Sequence, residues 1–194
     1  MKKFYDISHD DKYNEVEYIE GTKWESIKCP KYPGHQRNGD RIGNLKVKLA
    51  GKKYGDFLWT FLDWIITEEV VKIFRDNKIS GYKLKPVEIT NRKLPYKLNE
   101  LIVTGKGGDA HADSGICLKG KCDYCSLKYY SAFENGIIVN ENNWDGSDLF
   151  TVTGYPGYNL ITEKVKDLIV EHKLTGVIIT PAHELKWPEG VIKP

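Results

Sequence analysis

Long apolar runs and charge of a single sign are both missing from this sequence of 194 residues. The most apolar stretch, residues 57–66, is interrupted by Thr60 and Asp63, which indicates a core segment and excludes a membrane span. The net charge is only +2, with acids and bases interspersed, so no electrostatic footprint for nucleic acid or an anionic membrane stands out. No apolar run follows the basic N-terminus, which argues against a secretory signal. We therefore expect a cytoplasmic protein with no membrane or nucleic-acid partner.

A well-formed catalytic motif is also missing. Gly105-Lys106 lies in a glycine-rich segment, but Gly107 follows where a phosphate-binding loop requires Ser or Thr. His111 and Asp113 could join Cys117 or Cys122 in a nucleophile–base set, yet no cysteine opens a recognisable helix or carries the local signature of a nucleophile. Ordinary polar loops are the simpler interpretation of both segments, and the sequence predicts a protein that is not an enzyme.

An internal repeat is the most distinct feature that is present. Residues 66–70 (ITEEV) match residues 161–165 (ITEKV), and the alignment continues without a gap through Gly81 and Gly176 to a proline. In each copy a threonine stands at the expected N-cap, apolar residues follow with helical spacing, and glycine stands where the chain leaves the helix. Upstream, residues 56–58 (DFL) parallel residues 148–150 (DLF) at a slightly shorter offset.

The repeat predicts an α+β (mixed α/β) fold in which two related strand–helix–strand units surround a shared sheet. We expect a single domain over residues 1–194. Its parts are an N-terminal segment (1–54), a first repeat unit (55–100), a Cys-bearing loop segment (101–143) and a second repeat unit (144–194).

Four cysteines point to metal binding: Cys29, Cys117, Cys122 and Cys125. Cys122 and Cys125 have the two-residue spacing with which two thiolates grip one tetrahedral metal from a tight turn. Cys29 would be the third ligand and Cys117 the fourth, with His35 as another possibility. This set predicts a structural Zn²⁺ in a zinc-ribbon-like element. Reduced structural thiols and a thioredoxin-like redox pair are the competing interpretations.

Short motifs spread over most of the chain resemble the double-CXXCG family of bacterial proteins. They are WESIKCP at residues 24–30, GDFLW at 55–59, CDYC at 122–125 and WDGSDLF at 144–150. Tyr32 replaces a cysteine of the first family knuckle, and Ser126 stands where the second knuckle has glycine. Members of this family are mostly identified as immunity proteins, so the resemblance implies a protein that binds and neutralises a toxin made by the same bacterium.

The aromatic content agrees with a recognition surface, because five Trp and 12 Tyr exceed what a core of this size needs. The repeats diverge just before their helices, where Trp59, Trp64, Tyr155 and Tyr158 are our predicted partner-binding residues. The first hypothesis is an immunity protein that occludes a cognate toxin. A zinc-ribbon module for nucleic-acid binding or regulation is the second, and a Cys/His hydrolase or transferase is the third.

Overall fold

The computed structural model describes residues 2–19, 22–61 and 63–187, and within these ranges it confirms the predicted α+β class. The strands are β1 (Phe4–His9), β2 (Glu17–Tyr18), β3 (Trp24–Ile27), β4 (Arg37–Arg41), β5 (Leu45–Lys48), β6 (Phe57–Trp59), β7 (Trp64–Thr67), β8 (Tyr82–Ile89), β9 (Leu98–Val103), β10 (Gly105–Lys106), β11 (Leu118–Lys121), β12 (Lys128–Tyr130), β13 (Leu149–Val152), β14 (Tyr155–Thr162) and β15 (Val177–Pro181). The helices are α1 (Glu68–Asp76) and α2 (Glu163–Glu171).

Each repeat unit forms a hairpin, a helix and a further strand. The first unit comprises β6, β7, α1 and β8, and the second comprises β13, β14, α2 and β15. Thr67 and Thr162 are the N-cap residues as predicted, although neither hydroxyl bonds to its own helix. Beyond the helices, Lys78 and Lys173 both have a φ of 52°. The duplication seen in the sequence is therefore repeated in backbone conformation.

A strand from outside the repeat completes each unit. In the first, β9 pairs antiparallel with both β7 and β8; in the second, β1 pairs antiparallel with both β14 and β15. The registers correspond, since Leu98 lies opposite Thr67 and Phe4 lies opposite Thr162. The start of the chain thus supplies to the second unit the strand that the first unit obtains from residues just after it.

The two units do not share a sheet, which corrects the predicted arrangement. The first belongs to a six-stranded sheet of order β2-β5-β8-β9-β7-β6, and the second to a five-stranded sheet of order β10-β13-β14-β1-β15. They share a hydrophobic core instead, because both helices and one face of each sheet bury their apolar side chains together. The buried members of this core are Ile7, Phe57, Trp64, Ile66, Val70, Ile73, Phe74, Ile79, Leu101, Leu149, Ile161, Val165, Leu168 and Ile169.

Reciprocal hydrogen bonds join the two units. Asp56 of the first accepts bonds from the backbone N–H and hydroxyl of Thr175 (2.8 and 2.7 Å). Asp148 of the second accepts the equivalent bonds from Ser80, both at 3.0 Å. Gly81 follows Ser80 with a φ of 85°, and Gly176 follows Thr175 with a φ of 92°. A Cβ added to either glycine would lie 2.0 Å from a carbonyl oxygen of the other unit. Glycine is required by both the left-handed backbone and the close approach.

The outer faces of the sheets are covered by different parts of the chain. Val16 and Leu49 of the N-terminal segment pack on the first sheet together with Leu58 and Leu98. Residues of the Cys-bearing segment cover the second sheet, where Phe133, Ile137 and Val139 pack against Phe150 and Leu160. Each covering segment also contains a separate two-stranded antiparallel ribbon, β3–β4 in the first and β11–β12 in the second.

Candidate metal centre

The connection between β3 and β4 carries two donor groups, Cys29 and His35. The backbone N–H of Tyr32 donates to Cys29 Sγ at 3.3 Å. A single 3-10 turn, Pro33–His35, then returns the chain toward the sulfur. Proline fixes the backbone at the start of this turn, and the imidazole at its end lies with Nδ1 3.7 Å from Cys125 Sγ.

The connection between β11 and β12 carries the other pair, Cys122 and Cys125. This turn closes through bonds from Cys122 N–H to Leu127 O (2.8 Å) and from Ser126 N–H to Cys122 O (2.9 Å). Ser126 has a φ of 57°, in the left-handed region that favours glycine. Glycine, which the double-CXXCG motif has at this position, adopts such a conformation without strain. In this chain a serine adopts it.

The two ribbons bring these four residues together. The donor atoms of Cys29, His35, Cys122 and Cys125 all lie within 4.8 Å of one another, close enough to bind one metal ion. Cys29 Sγ is 3.9 Å from Cys122 Sγ, and Cys125 Sγ is 3.7 Å from His35 Nδ1. A tetrahedral ion with metal–sulfur bonds of about 2.3 Å has sulfur–sulfur edges of about 3.8 Å. These two distances match the edges of a tetrahedral centre, and the donor set is one that zinc accepts: three thiolates and one imidazole.

Groups around the four donors act on their protonation states in different directions. His35 Nε2 is hydrogen-bonded to the hydroxyl of Tyr129, which leaves Nδ1 free to face the sulfurs. A backbone hydrogen bond from Leu127, with further help from His35, lowers the pKa of Cys125 to about 6. Burial raises the pKa of Cys122. The guanidinium of Arg37 lies 3.9 Å from Cys125 Sγ and offsets part of the negative charge of three thiolates.

The structure does not place Cys117, our predicted fourth ligand, in this group. Its side chain is exposed, and its backbone N–H donates to the Ser131 hydroxyl. Hydrogen bonds with Ser131 and Lys119 lower the pKa of this thiol. Cys117 precedes β11, whereas Cys122 and Cys125 follow it, so the strand separates them. His35, the alternative that the sequence offered, takes the fourth position.

The predicted partner-binding aromatics divide by burial. Trp64 and Tyr155 are only 3% and 7% exposed, so their rings belong to the core and are not accessible to a partner. Trp59 and Tyr158 are half-buried; Trp59 packs against Trp64 with ring centroids 4.8 Å apart. Of the four predicted partner-binding residues, only Trp59 and Tyr158 are therefore accessible enough to contact a partner.

A cleft beside Trp59 contains a residue that the sequence did not single out. Phe61 lies at the tip of the β6–β7 hairpin, is 74% exposed and has a φ of 74°. It lines a cleft of about 470 Å³ together with Trp24 and Trp59. Its neighbour there is a buried ion pair between Arg41 and Glu100. Residues with an unfavourable backbone conformation cluster at ligand-binding and switch regions, which makes Phe61 a candidate recognition residue.

Comparison with known proteins assigns no family. No protein-family model matches the chain, and no curated protein matches it. The double-CXXCG resemblance thus remains a prediction that rests on the short motifs. As for membranes, none of the helices in the described residues is long and apolar enough to span one.

Proposed function

We propose that this protein is a cytoplasmic immunity protein that binds and neutralises a cognate bacterial toxin by stoichiometric occlusion, without turnover. A structural Zn²⁺ held by Cys29, His35, Cys122 and Cys125 is part of the proposal. One observation supports it above the others: the two segments that resemble the family's knuckles, although far apart in sequence, meet at a single set of metal donors. A chance resemblance would not require the two motifs to converge.

The zinc in this proposal has a structural role because all four positions are filled by protein side chains. Closed tetrahedral sites stabilise folds, whereas catalytic zinc sites keep one position for water or substrate. The centre would link the segment that covers the first sheet to the segment that covers the second. It would therefore hold both covering segments in place over a core that the two repeat units already share.

The proposed contact surface is the cleft lined by Trp24, Trp59 and Phe61. Binding energy in protein complexes concentrates on a few aromatic and Arg residues that become desolvated. Phe61 is exposed and well placed to be such an anchor, and Trp59 supports it from the same hairpin. In the second repeat unit, Phe133 of the Cys-bearing segment packs on Tyr155, so this aromatic side chain is buried.

Co-expression with a toxin tests the immunity function. A candidate toxin, chosen as a toxin-like C-terminal domain if one is encoded beside the gene for this chain, would be expressed in a sensitive bacterial host with and without this chain. We expect rescue of growth and recovery of a one-to-one complex. Failure of the chain to rescue growth or to bind that domain would contradict the proposal.

A pair of matched variants tests the surface. Phe61→Ala should weaken toxin binding by roughly 30-fold or more, because loss of a hot-spot side chain costs about 2 kcal/mol or more. Ile42→Ala removes another exposed apolar side chain, 58% exposed, outside the cleft and should leave affinity unchanged. Equal affinities for the two variants would move the interface away from the cleft without affecting the immunity proposal.

A further inference from the structure

Positive charge is concentrated around the metal donors. Residues 28–37 and 118–129 together form what we call the metal element. It contains six basic residues against one acid, Asp123; the bases are Lys28, Lys31, Arg37, Lys119, Lys121 and Lys128. The element therefore carries 6 − 1 = +5, and with a net charge of +2 for the whole chain the remainder carries 2 − 5 = −3. Zn²⁺ with three thiolates would change the element only to about +4.

This concentration of positive charge could not be predicted from the sequence, because residues 28–37 and 118–129 are far apart along the chain. All five lysines of the metal element are exposed. Lys121 and Lys128 lie directly opposite each other across the β11–β12 ribbon. Like charges at such a position destabilise a hairpin, so their presence favours an external anion that neutralises them.

Exposed aromatic rings lie among these charges. Tyr32, Tyr124 and Tyr129 are 43%, 53% and 41% exposed. The rings form a continuous row: Tyr124 to Tyr32 at 6.0 Å, Tyr32 to His35 at 5.0 Å, and His35 to Tyr129 at 5.5 Å between centroids. Because His35 is one of the four metal donors, metal binding would hold this row rigid. Lys31 lies over the Tyr124 ring, with its Nζ 4.7 Å from the centroid.

We propose that the metal element binds single-stranded nucleic acid, with bases stacking on the tyrosine row and phosphates contacting the surrounding lysines. Sequence-tolerant single-strand binding combines a basic surface with exposed aromatic rings, as found here. An acidic protein is the competing partner, but lysine is depleted from protein–protein interfaces, whereas five of the six cations of this element are lysines. The composition therefore favours a polyphosphate.

This proposal does not depend on the immunity function, since it concerns a different surface and uses a different assay. The metal element lies outside the cleft that contains Phe61 and Trp59. Either proposal can fail while the other holds.

The test is fluorescence anisotropy of a labelled 15-nucleotide oligothymidylate titrated with the zinc-loaded full chain. We expect affinity to fall with salt as counterions are released. For three to four phosphate contacts, raising NaCl from 50 to 200 mM should lower affinity roughly 20- to 50-fold. The same titration with polyglutamate of equal charge provides a polyanion without bases. Much weaker binding of polyglutamate is expected because it cannot stack.

Two variants and one control assign the surface. Tyr124→Ala should lower oligothymidylate affinity about 5-fold or more, which corresponds to loss of one stacked base. Lys31→Glu should lower it at least about fivefold, roughly the contribution of one phosphate contact at 0.1 M salt. Lys72→Glu makes the same charge change at an exposed position of α1 and should have little effect. Zinc content and melting temperature would verify that each variant is folded.

Three results would overturn the proposal. The first is no detectable oligothymidylate binding at 50 mM NaCl. The second is equal loss in Lys31→Glu and Lys72→Glu, which would mean that net charge alone matters. The third is binding of polyglutamate as tight as that of oligothymidylate with no effect of Tyr124→Ala, which would identify the surface as one for acidic proteins.

Discussion

Two buried acids, Asp6 and Glu100, occupy equivalent positions in β1 and β9, on the faces turned away from the shared core. They are only 5% and 2% exposed. Glu100 forms an ion pair with Arg41, which the N-terminal segment supplies. No hydrogen-bond partner for Asp6 Oδ1 lies among the described residues. Burial raises the pKa of both carboxyl groups, and that of Asp6 rises to about 7.

The raised pKa of Asp6 predicts that stability depends on pH. The folded state holds the proton more tightly than the unfolded state, whose pKa is near 3.8. The contribution of Asp6 to the free energy of unfolding should therefore be largest below pH 4, fall as pH rises toward 7, and level off above it. A rise of about three pKa units would change the free energy of unfolding by at most about 4 kcal/mol between low and high pH.

Asp6→Asn removes this dependence, so the variant should be more stable than the wild type at pH 8 and similar at pH 4. Urea unfolding at both pH values measures the difference. Asp11→Asn, at an exposed position of the adjoining turn, is the control. Parallel pH profiles for the wild type and Asp6→Asn would show that Asp6 is not the titrating group.

The four cysteines should differ in reactivity. Cys117 is exposed and its pKa is lowered, so iodoacetamide at pH 7.5 should modify it first. Metal binding should protect Cys29, Cys122 and Cys125, and a chelator should raise their alkylation rates by about tenfold or more while leaving the rate of Cys117 unchanged. Mass spectrometry of peptides follows each site. Protection of Cys117 by metal would place that thiol among the ligands.

At the scale of elements, the repeat could be predicted and the strands that complete it could not. The threonine, glycine and proline signals are local, and they located both helices and the turns after them. The insertion of β1 between β14 and β15 depends on contacts between opposite ends of the chain. Only a weak pattern connects β1 with β9: Asp6 and Glu100 each stand two residues after an apolar residue and directly before another. The prediction of one shared sheet was wrong because these central strands complete each sheet separately.

The metal site, too, could be predicted from local sequence signals only in part. Cys122 and Cys125 could be predicted as ligands from their two-residue spacing, and Cys29 from the resemblance of its segment to a metal-binding knuckle. His35 stands six residues after Cys29, a spacing that becomes meaningful only through the 3-10 turn at Pro33–His35. Cys117 was favoured as fourth ligand because residue type suggested it, whereas β11 directs the chain away from that position.

The reciprocal bonds of Asp56 and Asp148 should stabilise the contact between the two units. Asp56→Ala and Asp148→Ala should each lower the free energy of unfolding by about 1–3 kcal/mol, because each leaves a backbone N–H and a hydroxyl without their acceptor. Asp76→Ala, at the exposed end of α1, should change it by less than about 0.5 kcal/mol. Urea denaturation compares the three. Losses no larger than that of the control would mean that apolar packing alone joins the units.

At the scale of the whole molecule, the metal centre and the shared core have separate roles. The core contains no residue of the metal element. The metal connects the β3–β4 and β11–β12 ribbons, which belong to the two covering segments. Loss of the metal should therefore loosen the covering segments while the central helices and sheets remain.

Limited proteolysis with and without a chelator measures this separation. In the metal-loaded protein, residues 23–41 and 117–130 should resist trypsin. After chelation the lysines in these stretches should be cleaved first, because backbone cleavage requires local opening. The far-UV circular dichroism should change little. Complete unfolding on chelation would show that the metal supports the core as well.

X-ray absorption at the zinc edge, on protein purified without chelator, tests the central claim most directly. The claim is that Cys29, His35, Cys122 and Cys125 form one metal centre. We predict one zinc per chain with three sulfur ligands at about 2.3 Å and one nitrogen ligand at about 2.0 Å, unchanged in Cys117→Ser and lost in Cys122→Ser. Four sulfur ligands, or zinc far below one per chain, would contradict it.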